Sequence, residues 1–285
     1  MPQSTPFHVK TNSLCHSYRW KNWAGYYAVC SYDTSHDREY FAFRHGSGII
    51  DLTPLFKYRI TGKDSTLFLD HLMTRDIASL EKNRVAYTCW CDDDGFLVDD
   101  GTVMNLGNGT YHVTAAIPSF SWFDRYSRGY DVQIEDITDT YAVLGIQGPT
   151  SRDLLHAVLP ETELNKLKFF RFLETTLDGT KLIVSRTGYT GDLGYEIWVE
   201  SQKAEQLWDA VFEKAPFFGG EACGLDALDV VRLEAGFVMN GVGYHSAHHC
   251  AIEDRKSTPF DAGLGWTVNF KKSYFNGHQA LRAEK

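Results

Sequence analysis

Two amphipathic helices with the same entrance dominate the hydrophobic pattern of this chain. Phe68, Leu69, Leu72 and Met73 recur at the i, i+1, i+4, i+5 spacing of one buried helix face, and so do Leu154, Leu155, Val158 and Leu159. Ile60-x-Gly62-x-Asp64-Ser65 leads into the first and Ile146-x-Gly148-x-Thr150-Ser151 into the second, at a constant offset of 86 (146 − 60 and 148 − 62). Asp64 and Thr150 stand where N-caps are expected. After each helix the pattern predicts a strand pair. The first is 85–91 and 96–105 around the turn Asp92-Asp-Asp-Gly95; the second is 181–185 and 195–200 around a Gly-rich turn through Gly188 and Gly194. Further helices are predicted over 119–128 and 202–214, and a third over 225–237 with Leu228, Val231 and Ala235 on its apolar face. Each half therefore reads strand, helix, strand, strand, helix. The predicted fold is α+β: two related βαββα lobes with mostly antiparallel sheets.

Composition adds limits. The 285 residues are 43% hydrophobic and 23% charged, enough for a large core without staples. The net charge of −9 argues against a nonspecific grip on nucleic acid. No apolar run is long enough to span a bilayer, no basic-then-apolar leader opens the chain, and no Arg precedes Arg19. A cytoplasmic protein with neither nucleic-acid nor membrane partners is expected, its six cysteines reduced and mostly in the core. Asn108-Gly-Thr110 fits a glycosylation sequon, but Asn-Gly reads better as a hairpin turn.

The chemistry does not follow a nucleotide signature. Gly46-Ser-Gly48-Ile-Ile-Asp51 lacks the third Gly of a dinucleotide loop. His245, His248, His249 and Cys250 fit no standard zinc spacing; they read as a polar pocket rim, and no metal is expected. Asp99-Asp100 is more informative, because it interrupts an apolar strand. Adjacent strand residues face opposite ways, so one acid points inward, where it needs partners. The plainer alternative is an acid pair at a bulge or strand end. Glu196 repeats the theme just after the second glycine turn. One acid from each of two equivalent hairpins suggests a ligand crevice between the lobes.

In order along the chain, several segments are similar to the aminomethyltransferase family, the glycine-cleavage T-protein and its folate-dependent relatives. They are 39–44 with Gly48-Ile-Ile-Asp51; Ala86-Tyr87; Val98-Asp99-Asp100; Ile146-Gln147-Gly148-Pro149; Ser185-Arg-Thr-Gly-Tyr-Thr-Gly191 with Gly194-Tyr195-Glu196; Gly224-Leu225 with Asp229 and Arg232-Leu233-Glu234-Ala235-Gly236; and Gly263-Leu-Gly-Trp266. The resemblance implies a tetrahydrofolate site in a clover-leaf of domains. One folate-binding lobe would be 1–50 plus 140–270, a second lobe carrying Asp100 would be 51–139, and 271–285 would begin a C-terminal domain whose usual β-barrel is absent. It implies Asp100 as the catalytic aspartate, Tyr87 lining the folate pocket and Glu196 on the pterin ring, with Tyr189 and Arg186 in the same Gly-rich segment. Arg232 is a cofactor-site candidate or a structural ion-pair partner of Glu234 or Asp229. Trp20, Trp23, Tyr26 and Trp90 would offer a wall for a methylated amine or sulfonium, or are simply core; His245 is a further substrate candidate.

The expected function is transfer of a methylene or methyl group to N5 of tetrahydrofolate, from a small molecule or a lipoyl carrier protein. The chain departs from the family pattern at Asp51-Leu-Thr-Pro54, at Leu228, at Thr114-Ala-Ala-Ile117 and in the long histidine-bearing stretch 243–258. These departures turn the expectation toward demethylation of a betaine, sulfonium or methoxy-aromatic compound. The alternative from another class is a non-catalytic folate-binding assembly or regulatory protein; its relatives carry a Cys in the segment matching 186–189, where this chain has none.

Overall fold

The computed structural model describes residues 1–285. Along the chain run α1 (His8–Leu14), β1 (Arg19–Trp23), β2 (Tyr26–Ser31), α2 (Asp37–His45), β3 (Ser47–Asp51), β4 (Phe56–Thr61), α3 (Ser65–Leu72), β5 (Val85–Cys91), β6 (Leu97–Gly107), β7 (Thr110–Ala115) and α4 (Phe120–Tyr126). Then come β8 (Gln133–Asp136), β9 (Tyr141–Gln147), α5 (Ser151–Val158), β10 (Phe172–Leu177), β11 (Thr180–Ser185), β12 (Gly194–Glu200), α6 (Ala204–Lys214), β13 (Gly220–Ala222), α7 (Leu225–Glu234) and α8 (His278–Glu284). The chain folds as two compact units, Met1–Pro54 with Thr138–Phe237 and Leu55–Ile137 with Val238–Lys285.

The first unit holds a six-stranded sheet in the order β10-β11-β12-β9-β3-β13, antiparallel except for β13 on β3. Leu154, Leu155, Leu207, Trp208 and Val211 from α5 and α6 bury against Leu144, Ile146, Val184 and Ile197 of this sheet. The second unit holds a fully antiparallel sheet, β5-β6-β7-β4-β8, with Phe68, Leu69, Leu72 and Phe123 of α3 and α4 on its apolar face. A separate two-stranded ribbon is β1-β2. No sheet closes into a barrel, and no helix is long and apolar enough to cross a membrane. All six cysteines are free.

The repeat in the sequence is a repeat in three dimensions. Gly62 and Gly148 both take positive φ, +120° and +126°, and a Cβ at either would lie 2.3 or 2.4 Å from a carbonyl oxygen. Ser65 Oγ donates to the Gly109 carbonyl at 2.8 Å and Ser151 Oγ to that of Leu193 at 3.3 Å. Tyr111 and Tyr195 lie opposite Ile60 and Ile146 in their ladders, and each hydroxyl meets the second residue of the following helix, Thr66 Oγ1 at 2.7 Å and Arg152 Nε at 2.9 Å. Asp64 and Thr150 occupy the N-cap positions, but neither side chain caps. Asp64 instead accepts the Asp131 N–H at 2.8 Å, and Thr150 donates to the Phe218 carbonyl at 2.6 Å, each tying the helix start to another segment of its own unit.

The structure corrects three expectations. Between its two helices each repeat has one more strand than the pattern predicts, β7 and β10, and the sheets also take in β8, β3 and β13. The edge strand β10 alternates with few large apolar residues and is mostly half-exposed, so its hydrophobic signal is weak. β7 comes after the predicted Asn-Gly turn, whose residues both take positive φ, +52° and +69°, as a two-residue hairpin turn requires. Secondly, the extra strands change the equivalences: β5-β6-β7-β4 matches β10-β11-β12-β9. Asp99 and Asp100 on β6 and Glu196 on β12 therefore come from non-equivalent strands, since β6 matches β11 and β12 matches β7. Thirdly, 238–270 belongs with the second unit rather than the first lobe, and 271–285 packs there too. Leu97 N–H bonds the Ser257 carbonyl at 2.8 Å and Asn269 N–H that of Thr74 at 3.0 Å. Tyr244, Leu264, Phe275 and Leu281 share a buried cluster with Cys89, Cys91 and Leu97.

Candidate active site

The acid pair sits where β6 runs past its neighbour β7. The β6–β7 register begins at Val103 opposite Val113. Before it, Gly101 passes so close to β7 that a Cβ would lie 2.0 Å from the Thr114 carbonyl oxygen. The Thr102 N–H bonds Thr114 Oγ1 at 2.9 Å. Released from the ladder, the N–H groups of Ala116 and Ile117 turn to Asp99 Oδ2, at 2.9 and 3.0 Å. Asp99 is fully buried opposite Trp90, and its Oδ1 accepts from Asn240 Nδ2 at 2.8 Å. Asp100, half-buried on the opposite face, accepts from the Tyr87 hydroxyl at 2.7 Å and from the Tyr244 hydroxyl.

Burial raises both carboxyls, and the charge of Asp100 adds to the rise at Asp99, which is pushed up to about 7. The Tyr244 and Tyr87 hydroxyls oppose the shift at Asp100 by stabilising its anion. Burial and the adjacent carboxylates lift the Tyr244 phenol above its ordinary range, so it stays a donor. Trp266, 63% exposed, stacks on Tyr87 at 5.8 Å between ring centroids, with the Arg75 guanidinium 5.4 Å over its face. The arrangement is an anion pinned by two phenols beside a second carboxyl titrating near neutrality, next to an open aromatic face. It can bind an N–H donor or favour a developing positive charge.

In the first unit the buried Gln147 side chain locks the Gly-rich loop. Its Nε2 donates to the carbonyls of Thr187 and Tyr195, and its Oε1 accepts from Thr190. A Cβ at Gly188 or Gly194 would fall 1.8 or 2.1 Å from that Oε1, so the loop closes on the amide only with glycine at both positions. The loop in turn presents the Thr187 hydroxyl to Glu196 Oε2 at 2.7 Å. Burial raises the Glu196 carboxyl and Thr187 opposes the shift. Tyr189 of the same loop stacks on Phe237 at 5.5 Å. Arg186 is half-buried; its Nη1 donates to the Leu167 carbonyl at 3.2 Å, while its buried Nε meets no partner.

The structure thus brings Asp100 and Tyr87 together, and joins Glu196 to the loop carrying Tyr189 and Arg186. Arg232 takes the structural alternative: it pairs with Asp229 at 2.5 Å and donates to the Phe237 carbonyl, which occupies its guanidinium. The aromatic wall is corrected. Trp90 is fully buried against Phe123 in the second unit's core. Tyr26 is buried in the β1–β2 ribbon with its hydroxyl on Asp139, and Trp20 packs near His8 in the same unit. Trp23 ends β1. His245 is exposed and lines a cavity with Asn240. Asn240 and Tyr244 escaped the sequence reading. They lie far from the acid pair in sequence, and their one signal was that they flank the start of the unusual 243–258 stretch.

The profile of one protein family, the GCVT N-terminal domain, matches residues 8–272. An aminomethyltransferase of Halothermothrix orenii is 35% identical over 252 residues, 87% of this chain and 68% of that protein. One of Alkaliphilus oremlandii is 33% identical over 87% of this chain and 66% of that protein. The chain thus spans about two thirds of the length of these curated relatives. Among solved structures, the glycine cleavage system aminomethyltransferase T of Bartonella henselae superposes with a TM-score of 0.87 at 22% identity, covering 100% of this chain and 75% of that one. That likeness establishes the fold. The chain belongs to an enzyme family, that of the aminomethyltransferases.

Proposed function

We propose that the protein is a tetrahydrofolate-dependent one-carbon transferase whose catalytic carboxylate is Asp100. The observation that carries this reading is the Asp100 anion held by the Tyr87 and Tyr244 hydroxyls beside the buried Asp99. The residues present fit the folate. Glu196 carries one side-chain donor, Thr187, which leaves carboxylate lone pairs for the N–H groups of an aminopyrimidine edge. Trp266 and Tyr87 offer a flat aromatic surface. When bound, tetrahydrofolate would supply the N5 lone pair as acceptor of the one-carbon group, with the donor's bonding pair leaving on the donor heteroatom and the N5 proton released to that leaving group or to water. The Asp100 carboxylate, fixed before reaction by two phenols, favours positive charge developing beside it. Asp99 keeps the local charge near a single negative unit around neutral pH, because two adjacent buried carboxyls resist joint ionisation. Glu196 orients the pterin, and the Gln147-locked loop holds Glu196 through Thr187. The donor is a small molecule or an aminomethyl group on a lipoyl carrier protein.

Calorimetric titration with tetrahydrofolate tests the binding half. Glu196→Ala is expected to weaken affinity by about 10-fold or more, the worth of a charged hydrogen bond. Equal affinity of variant and wild type would remove Glu196 from the site.

A further inference from the structure

The 238–258 segment of the second unit, part of which departs from the family pattern, borders an open cavity of about 390 Å³. Its size falls within the ordinary range for small-ligand sites. The walls include Ile117, Asn240, His245, Ser246, His249 and Arg255, and no acidic residue lines it. Two walls are shared with the acid pair: the Ile117 N–H and the Asn240 amide both bond Asp99. Tyr244, the neighbour of His245 in sequence, bonds Asp100.

Two features of the cavity call for an anion. The first is Arg255. Its backbone N–H bonds the Ile252 carbonyl at 3.1 Å, which fixes the turn that carries it. Glu253, two residues away, is already paired with Lys256 at 2.6 Å, and no carboxylate of the chain pairs with the Arg255 guanidinium. In a chain of net charge −9, an arginine left without an acid on a concave wall is a natural place for an external carboxylate, whose two oxygens match the guanidinium fork. The second is Ser246. The residue is 5% exposed, and its hydroxyl oxygen is buried without a hydrogen-bond partner. Such a group is costly unless something bonds it. His245 and His249 add ring N–H donors, while Ile117, Ala251 and Ile252 supply apolar surface.

We infer that this cavity is a carboxylate-reading subsite for the one-carbon donor, taking a small molecule with an apolar body and a carboxylate bonded by Arg255 and Ser246. The inference deepens the proposed transferase function and rests on it for the word donor. The same carboxylate chemistry could come from the glutamyl tail of tetrahydrofolate, and the test separates the two sources.

Benzoate and its neutral isostere benzamide serve as probes on the full chain, with binding followed by ligand-observed NMR and tetrahydrofolate affinity measured in parallel by calorimetry. Benzoate is expected to bind and benzamide to bind at least about tenfold more weakly. Arg255→Met should lose benzoate by a similar factor, Arg255→Lys should retain part of it, and Ser246→Ala should weaken it with the melting temperature unchanged. Tetrahydrofolate affinity should be the same in wild type and Arg255→Met, and saturating tetrahydrofolate should not displace benzoate. Absence of benzoate binding at millimolar concentration, or equal binding by Arg255→Met, overturns the subsite. Displacement by tetrahydrofolate, or loss of tetrahydrofolate affinity in Arg255→Met, assigns the cavity to the folate tail and overturns the donor assignment. Failure of the transferase reading shows separately, as no tetrahydrofolate binding in a protein that still binds benzoate.

Discussion

The two units enter α3 and α5 in the same way and diverge at the connection between the second and third strands of the hairpin series. In the second unit, β6 and β7 are joined by the tight Asn108-Gly109 turn, and the residue opposite Arg59 is His112, buried and pushed down to about 4 by burial and by that arginine. In the first unit the matching strands β11 and β12 are joined by the Gly-rich loop, and the matching residue, opposite Gly145, is Glu196. The long loop can deliver Thr187 to that carboxylate; a two-residue turn delivers nothing. The second unit places its acids at the other end of β6: the ladder partners put Asp100 level with Lys181 and Asp99 level with Thr180, the first residue of β11. The two units share a ladder and differ in which positions on it carry acids and in the connection that joins the matching strands.

The largest expected effect sharpens the functional side of this comparison. Asp100→Asn should lower turnover by roughly 10²–10³, the usual loss for one preorganised charge-stabilising group, with the circular dichroism spectrum intact. Turnover within a few fold of wild type would mean that this end of β6 is not catalytic. Next comes the lock on the loop. Gln147→Ala strands two carbonyls and the Thr190 hydroxyl, so it should cost about 2–3 kcal/mol in urea unfolding. Its counterpart in the second unit, Thr61→Ala, should stay within about 0.5 kcal/mol; equal costs would show that the amide does not hold the loop.

A smaller effect tests the acid pair through pH. The Asp99 carboxyl lies at about 7 against an ordinary 3.8, so the folded state binds the extra proton between these values. Its contribution to stability is present below about 3.8 and is lost as pH rises through 7. Asp99→Asn removes that loss and should gain on wild type, on the order of 1 kcal/mol, between pH 6 and 8. Parallel stability curves for the two proteins over that range would refute the shift. Smallest is the shared entrance. Tyr111→Phe and Tyr195→Phe each lose one hydroxyl contact and should each cost about 1 kcal/mol, the second slightly more because its partner is a guanidinium. A clear cost in only one unit would break the equivalence of the two junctions.

Local signals carried the entrances, the helices and the Asn-Gly turn, because a 3.6-residue period and a positive-φ glycine are written in neighbouring residues. The split of Asp99 and Asp100 to opposite faces was legible for the same reason: a strand alternates. Edge strand β10 was not, since an edge needs no apolar face of its own. The aromatic wall failed at Trp90 because composition cannot distinguish an aromatic that packs inward from one that meets a ligand.

By itself the sequence determined the α+β class, the doubled βα entrance and the family, and it singled out the acids to which we assign the chemistry, all from residues near one another or from their order. Tertiary structure alone decided that the equivalent hairpins are offset by one strand. It likewise decided that 238–285 closes on the second unit, and that Tyr244 and Asn240 reach the acid pair from more than a hundred residues away. Those contacts arise from burial and hydrogen bonding between segments whose separation in sequence carries no trace of their meeting.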